Sequence, residues 1–317
     1  MKRRMSKKIG ILLCVLLLGG CSPQKEAGEG QNTEIKDTQT QQVTQEETSS
    51  SQDSQTTSGE TQTNTQQATE TEKPSDNPTE TQGSGNPGTY VPTHPVQEGV
   101  GIRYETNPNA PWIAIDAGHQ AKGNSEKEPV GPGASTTKAK VSSGTQGVAT
   151  GIPEYKLTLE VALRLRDECI AQGYNVLMIR ETNDVNISNA ERAILANEQQ
   201  VAAFVRIHAD GAENSSANGI TVLCQTKDNP YCGKYYKKSR ALADALSKNL
   251  EQMTGATNRG ISEVDNMSGI NWCTVPVAIV EMGFMTNEAE DRKMATEEYQ
   301  IKLVNGMVTG INEFLGR

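Results

Sequence analysis

The 317-residue sequence lacks most of the features that would allow a quick functional reading. It has only three histidines, at positions 94, 119 and 208. It has no C-x-x-C pair, which argues against a cysteine-built zinc site, and no compact H-E-x-x-H. No fixed period runs along it, so a solenoid of stacked repeats is excluded. Its one strongly apolar run, Ile9 to Leu18, is too short to span a bilayer comfortably. Basic excess is missing as well. Residues 103–317 hold 22 Lys/Arg against 26 Asp/Glu, a net charge of −4 that argues against a nucleic-acid partner.

The beginning of the chain is more informative. Five of the first eight residues are Lys or Arg, the apolar run follows, and Gly19-Gly20-Cys21 closes it. A basic segment followed by a short apolar one reads as a signal peptide. Leu18-Gly19-Gly20-Cys21 resembles a bacterial lipobox, which implies cleavage after residue 20 and acylation of Cys21. The mature protein is then expected outside the cytoplasm, anchored to the cell membrane by lipid. Residues 21–102 are rich in Thr, Gln, Ser and Glu. Between residues 22 and 100 there are 3 Lys and 13 Asp/Glu, with very few large apolar side chains. Such a segment buries too little apolar surface to offset its ordering entropy and is expected to be a disordered tether. Its reach would average roughly 50 Å.

Residues 103–317 have the size of one α/β domain. Strand-like runs are WIAIDA (112–117), NVLMI (175–179), AFVRIHA (203–209), GITVLCQT (219–226) and VAIVEMGF (277–284). Helical patterns separate them. From Glu154, the apolar residues Leu157, Val161, Leu165 and Cys169 recur on one face, and Gly173 stops the run. Ser188 and Glu191 form a capping box that opens a second helix through Ala196. A third helix ends at Gly255, and Thr296 caps a fourth. This alternation implies a largely parallel sheet covered by helices on both faces. In such a sheet, functional residues gather at the carboxyl ends of strands.

Two of the three histidines fall at such ends. His119 follows WIAIDA, His208 follows AFVRI, Glu281 ends VAIV, and Glu154 opens the first helix. Imidazole nitrogens and a carboxylate oxygen are the ligands of a hydrolytic zinc site, which keeps a position for water. His119, Glu154 and His208 would supply that set, leaving Glu281 as the carboxylate that takes a proton from water. Spacing alone leaves purely structural histidines as a competing reading. Glu126 and Glu128 are rivals to Glu154, but they fall in a Gly/Pro/Ser-rich loop, 120–153, that offers poor support for ligands. Asp116 and Asp210 would either orient the imidazoles or cap turns. Arg180 and Arg192 would either hold a peptide carboxylate or pair with Glu181 and Glu191 at the surface. Trp272 would line a groove or pack in the core, and Cys224 and Cys232 could close a short disulfide loop.

The segments IAIDAGH, EYKLTLEVALRLRDECIAQGY, MIRETND, ERAILAN, RIHAD, NRGI and VPVAIVEMGFMTN occur in that order between Ile113 and Phe314. They resemble zinc-dependent N-acetylmuramoyl-L-alanine amidases of the amidase-3 type. The resemblance implies a single domain with a twisted, mostly parallel six-stranded sheet. It also implies zinc held by His119, Glu154 and His208, with Glu281 as the catalytic carboxylate. The implied reaction is hydrolysis of the peptidoglycan amide between the lactyl group of N-acetylmuramic acid and L-alanine, by a monomer. Gln120-Ala121-Lys122 departs from the usual Gly-Gly after the histidine, and the 120–153 loop is long. Asn258 to Glu281 leaves no room for a long inserted helix over the metal, which implies an open site.

Overall fold

A computed structural model describes Tyr90, Pro92 and residues 96–317. The signal segment, Cys21, nearly all of the tether and His94 lie outside the described residues.

The centre of the domain is a seven-stranded sheet with order β1-β5-β2-β6-β9-β7-β8. The strands are β1 (Val100–Tyr104), β2 (Trp112–Ala117), β5 (Asn175–Arg180), β6 (Ala203–Asp210), β7 (Ile220–Cys224), β8 (Asn258–Glu263) and β9 (Val277–Phe284). β5, β2, β6 and β9 run parallel, so their carboxyl ends share one rim. β1 joins β5 antiparallel, and β7 joins β9 antiparallel while pairing parallel with β8. The sheet therefore has one strand more than the six implied by the resemblance. β1 and β8 lack the buried apolar run that marks the central strands, because each sits at an edge.

Side-chain alternation divides the core in two. In β2, Ile113, Ile115 and Ala117 pack into a cluster with α1 (Glu154–Ala171), α3 (Tyr236–Thr254) and α6 (Glu297–Leu315). Ala114 turns to the other face, where α2 (Asn189–Glu198) and α4 (Ser268–Asn271) supply the cover. Period-two alternation in a strand buried on both faces produces this division. α1 buries Leu157, Val161, Leu165 and Cys169 as their spacing predicts. The capping box of Ser188 and Glu191 is present, and α2 runs two residues past Ala196, to Glu198. Gly306 and Gly310 of α6 let that helix press on α3, since a Cβ at either would come within 2.9 Å of the Leu250 or Leu246 Cα. Asn287 caps α5 (Glu288–Met294) through the N–H groups of Ala289 and Glu290.

Residues 120–153 do not form the unsupported loop that their composition suggests. They contain an antiparallel hairpin, β3 (Asn124–Pro129) with β4 (Thr137–Val141). Trp272 Nε1 donates to the Pro129 carbonyl at 2.9 Å, and Asn271 Nδ2 donates to that of Val130 at 2.9 Å. These bonds tie the hairpin to the segment that follows β8.

Candidate metal centre at the carboxyl rim of the sheet

His119 lies just past the end of β2 with φ of 60°, in the left-handed region. Non-glycine residues seldom hold that conformation unless their surroundings impose it. The turn directs Nδ1 to the Ser142 carbonyl at 3.0 Å. The Ser142 hydroxyl is also 3.1 Å from Nδ1, and because a carbonyl only accepts, this pair of contacts selects the tautomer with the proton on Nδ1. In the neutral ring, Nε2 then presents a bare lone pair.

That lone pair faces Glu154. Its Oε1 is 3.1 Å from His119 Nε2 and 3.2 Å from His208 Nδ1, and the two ring nitrogens are 3.1 Å apart. Glu154 is the first residue of α1, where the helix N-terminus favours negative charge. Backbone N–H groups fix its carboxylate, from Thr145 to Oε2 at 2.9 Å and from Ala209 to Oε1 at 3.1 Å. Burial opposes its ionisation, and the two backbone N–H donors together with the start of the helix favour the charged carboxylate. Burial also lowers the His208 pKa to about 4, so this ring is neutral at ordinary pH. The buried Nε2 of His208 has no hydrogen-bond partner among the described residues.

These three atoms suit a shared cation better than one another. Ligands arranged tetrahedrally at zinc-like bond lengths of about 2.0–2.1 Å would stand about 3.3 Å apart. The observed separations approach that value, and a lone pair set against a carboxylate oxygen is repulsive without positive charge between them. Gly118 is part of the fit, because a Cβ there would collide with the His208 ring.

Glu281 lies on β9, in register with His208 on β6. Its side chain is half-buried and makes no hydrogen bond to any described residue. It lines a cleft of about 350 Å³ together with His119, His208, Arg206, Ser268 and Lys138. Burial, followed by the charges of Glu154 and Asp210, pushes its pKa well above the usual range. The cleft thus brings two imidazoles and an unattached carboxylate to one point, with Glu154 behind them.

The other candidates stand elsewhere. Glu126 is exposed and pairs with Lys140 at 2.7 Å. Glu128 is buried at the start of α2, accepting from Ala190 N–H at 3.3 Å. The Asp116 carboxylate meets Arg192 and Arg206 and neither imidazole. Asp210 accepts from Gly211 N–H at 2.7 Å. Arg180 and Arg192 are neither surface ion pairs with Glu181 and Glu191 nor open to a ligand. Both are fully buried, and they donate to the carbonyls of Ala117, Gly118, His119 and Tyr155 that shape the turn after β2. Their chemistry is that of a buried brace, which a neighbouring glutamate in the sequence does not reveal. Trp272 packs in the core. Cys224 and Cys232 are free buried thiols and not a disulfide.

Sequence reasoning missed Arg206, Lys138, Ser142 and Gly118. Arg206 carried a usable signal, since it precedes His208 by two on one strand and so shares its face. Lys138 and Ser142 reach the cleft only through the β3–β4 hairpin, which no periodicity announced.

The sequence matches the Amidase_3 family, described as N-acetylmuramoyl-L-alanine amidase, over residues 113–313. N-acetylmuramoyl-L-alanine amidase Rv3717 of Mycobacterium tuberculosis is 29% identical over 209 residues, covering 64% of this chain and 86% of that protein. The germination-specific N-acetylmuramoyl-L-alanine amidase of Bacillus subtilis is 30% identical over 188 residues, 53% of this chain and 74% of that one. Among solved structures, the amidase Ami1 of Mycobacterium smegmatis superposes with a TM-score of 0.60 at 28% identity, covering 67% of this chain and 99% of its own. An N-acetylmuramoyl-L-alanine amidase from Clostridium difficile 630 gives 0.54 at 27% identity, with 66% and 98% coverage.

Proposed function

The chain belongs to the Amidase_3 family of N-acetylmuramoyl-L-alanine amidases, and from that premise we propose that it works with zinc, held by His119, Glu154 and His208, and with Glu281 as its general base and acid. It is a peptidoglycan hydrolase that cleaves the amide between the lactyl group of N-acetylmuramic acid and L-alanine. The observation that carries the zinc reading is the triangle of donor atoms, 3.1–3.2 Å on each side, with the proton of His119 committed to Ser142.

Bound zinc supplies Lewis acidity, polarising a carbonyl oxygen and lowering the pKa of water. The protein's own groups do the rest. Ser142 and the backbone N–H groups of Thr145 and Ala209 hold His119 and Glu154 in place, which fixes the ligands before substrate arrives. Glu281, free of any hydrogen bond to a described residue and lining the same cleft, takes a proton from the attacking water. It then gives that proton to the alanine nitrogen as the C–N bond breaks, leaving a lactyl carboxylate and a free amine.

For the region outside the described residues, the proposal is a signal peptide over 1–20, a lipid on Cys21 and a tether over 21–102. Residues 103–317 then work as a monomeric catalytic domain held outside the cytoplasm near the wall. Digesting purified peptidoglycan with metal-stripped and zinc-restored protein, and identifying the new ends by mass spectrometry, tests the reading. New alanine amino termini that appear only with zinc are expected. Equal activity after stripping, or new ends elsewhere in the stem, would overturn it.

A further inference from the structure

β6 brings a second polar side chain to the cleft. Arg206 is only 3% exposed, and two edges of its guanidinium are already occupied. Nε donates to Asp116 Oδ2 at 2.9 Å, and Nη2 donates to Asn189 Oδ1 at 2.9 Å. Nη1 makes no hydrogen bond to any described residue. It lies over Gly269, where a methyl group would collide with it, and both residues line the cleft beside Glu281.

Asp116 is shared, since its Oδ1 accepts from Arg192 Nη1 at 2.7 Å, so it occupies one edge of Arg206 and no more. Arg192 is wholly enclosed, and Arg206 is the one of the two that lines the cleft, where its charge acts on Glu281 across open space. Lys138 lines the same cleft, with Nζ donating to the Asn266 carbonyl at 2.8 Å, and adds charge of the same sign. Glu281 makes no hydrogen bond to Arg206 and is committed to proton transfer. A guanidinium held rigid on two sides with a free N–H on the third is a preorganised receptor for an anion.

We propose that Arg206 is a specificity-determining residue, whose Nη1 receives a carboxylate of the stem peptide while Asp116 and Asn189 hold the guanidinium in place. The inference rests on the amidase reading above. It also gives Asp116 a purpose, since the aspartate holds two arginines, of which only Arg206 reaches the substrate cleft.

The test uses the zinc-loaded full chain and synthetic N-acetylmuramoyl peptides that differ in one group. One pair carries a free or amidated carboxylate on the residue after L-alanine, and a second pair differs in the same way at the peptide's C-terminus. Amidation in one pair should lower kcat/KM about 10- to 100-fold, mainly through KM, the size expected for one charge-assisted hydrogen bond. That pair identifies which carboxylate is held. Arg206→Gln should bring the free-carboxylate substrate down to the amidated one, and Arg206→Lys should retain part of the difference. Equal cleavage of every substrate by the wild-type protein overturns the proposal without needing a variant. Discrimination that survives in Arg206→Gln overturns it too. Cleavage of none of the four would instead bring down the amidase reading, and this proposal with it.

Discussion

His119 Nε2 and Glu154 Oε1 stand 3.1 Å apart, while the proton of the imidazole is directed the other way, to Ser142. Two electron-rich atoms held that close call for a cation. The protein should therefore bind about one zinc per chain, and binding should raise its unfolding temperature. His208→Ala should lose most of the metal, because two ligands hold zinc poorly. Elemental analysis of purified variants checks this, and full zinc in both His119→Ala and His208→Ala would show the site to be elsewhere.

Gly118 offers a way to disturb the centre without removing a ligand. A methyl group there meets the His208 ring. Gly118→Ala should keep the circular-dichroism spectrum of the wild type but lose on the order of 10- to 100-fold in zinc affinity, the range seen when a ligand's support is disturbed. Unchanged affinity would mean that the ring is free to move.

Asp116 should govern stability. Burial alone would raise its pKa, but Arg192 and Arg206 hold it at about 2, against 3.8 for a free aspartate. A lowered folded-state value means that the stabilisation is complete above the unfolded pKa and is lost as pH falls through the folded one. Asp116→Asn leaves two buried guanidiniums without a counter-charge, which should cost about 3–5 kcal/mol at neutral pH. The gap between wild type and variant should narrow from about pH 4 downwards as the wild-type carboxylate protonates. Urea unfolding at several pH values measures it, and a gap independent of pH would assign the loss to packing.

Beyond the described residues, the lipid anchor makes its own prediction. Cys21→Ala should leave the membrane fraction yet cleave isolated peptidoglycan as before. Retention in the membrane would point to another mode of attachment.

The central strands were legible in the sequence because burial on both faces leaves a run of apolar residues, as in VAIV before Glu281. The convergence of His119, Glu154 and His208 was legible for a related reason, since the ends of parallel strands and the start of the next helix share one rim. β1 and β8 were not, because edge strands are chosen by pairing partners far along the chain, and the β3–β4 hairpin was not, because its solvated strands carry no apolar alternation. Arg180, Arg192 and Arg206 were misread or passed over for a similar reason. Their partners are backbone carbonyls and an aspartate about 60 to 90 residues away, and spacing does not record such pairs.

Glu281 separates binding from catalysis most sharply. It shares the rim with His208, its neighbour in register across β6 and β9, yet it belongs to no hydrogen bond within the triangle of donor atoms. Three ligands are complete without it, so Glu281→Gln should bind zinc nearly as the wild type does. The amide is almost the same size, so the cleft should keep its shape, and replacing a half-buried carboxylate that makes no hydrogen bond to a described residue should not harm stability. A glutamine, however, can neither accept the water's proton nor deliver one to the departing amine. Loss of general acid–base help of this kind costs on the order of 10²- to 10⁴-fold in rate. Zinc content and lytic rate should be measured on the same sample. Intact zinc with collapsed activity is the expected result. Unchanged activity would send the proton by another route, and lost zinc would make Glu281 a ligand.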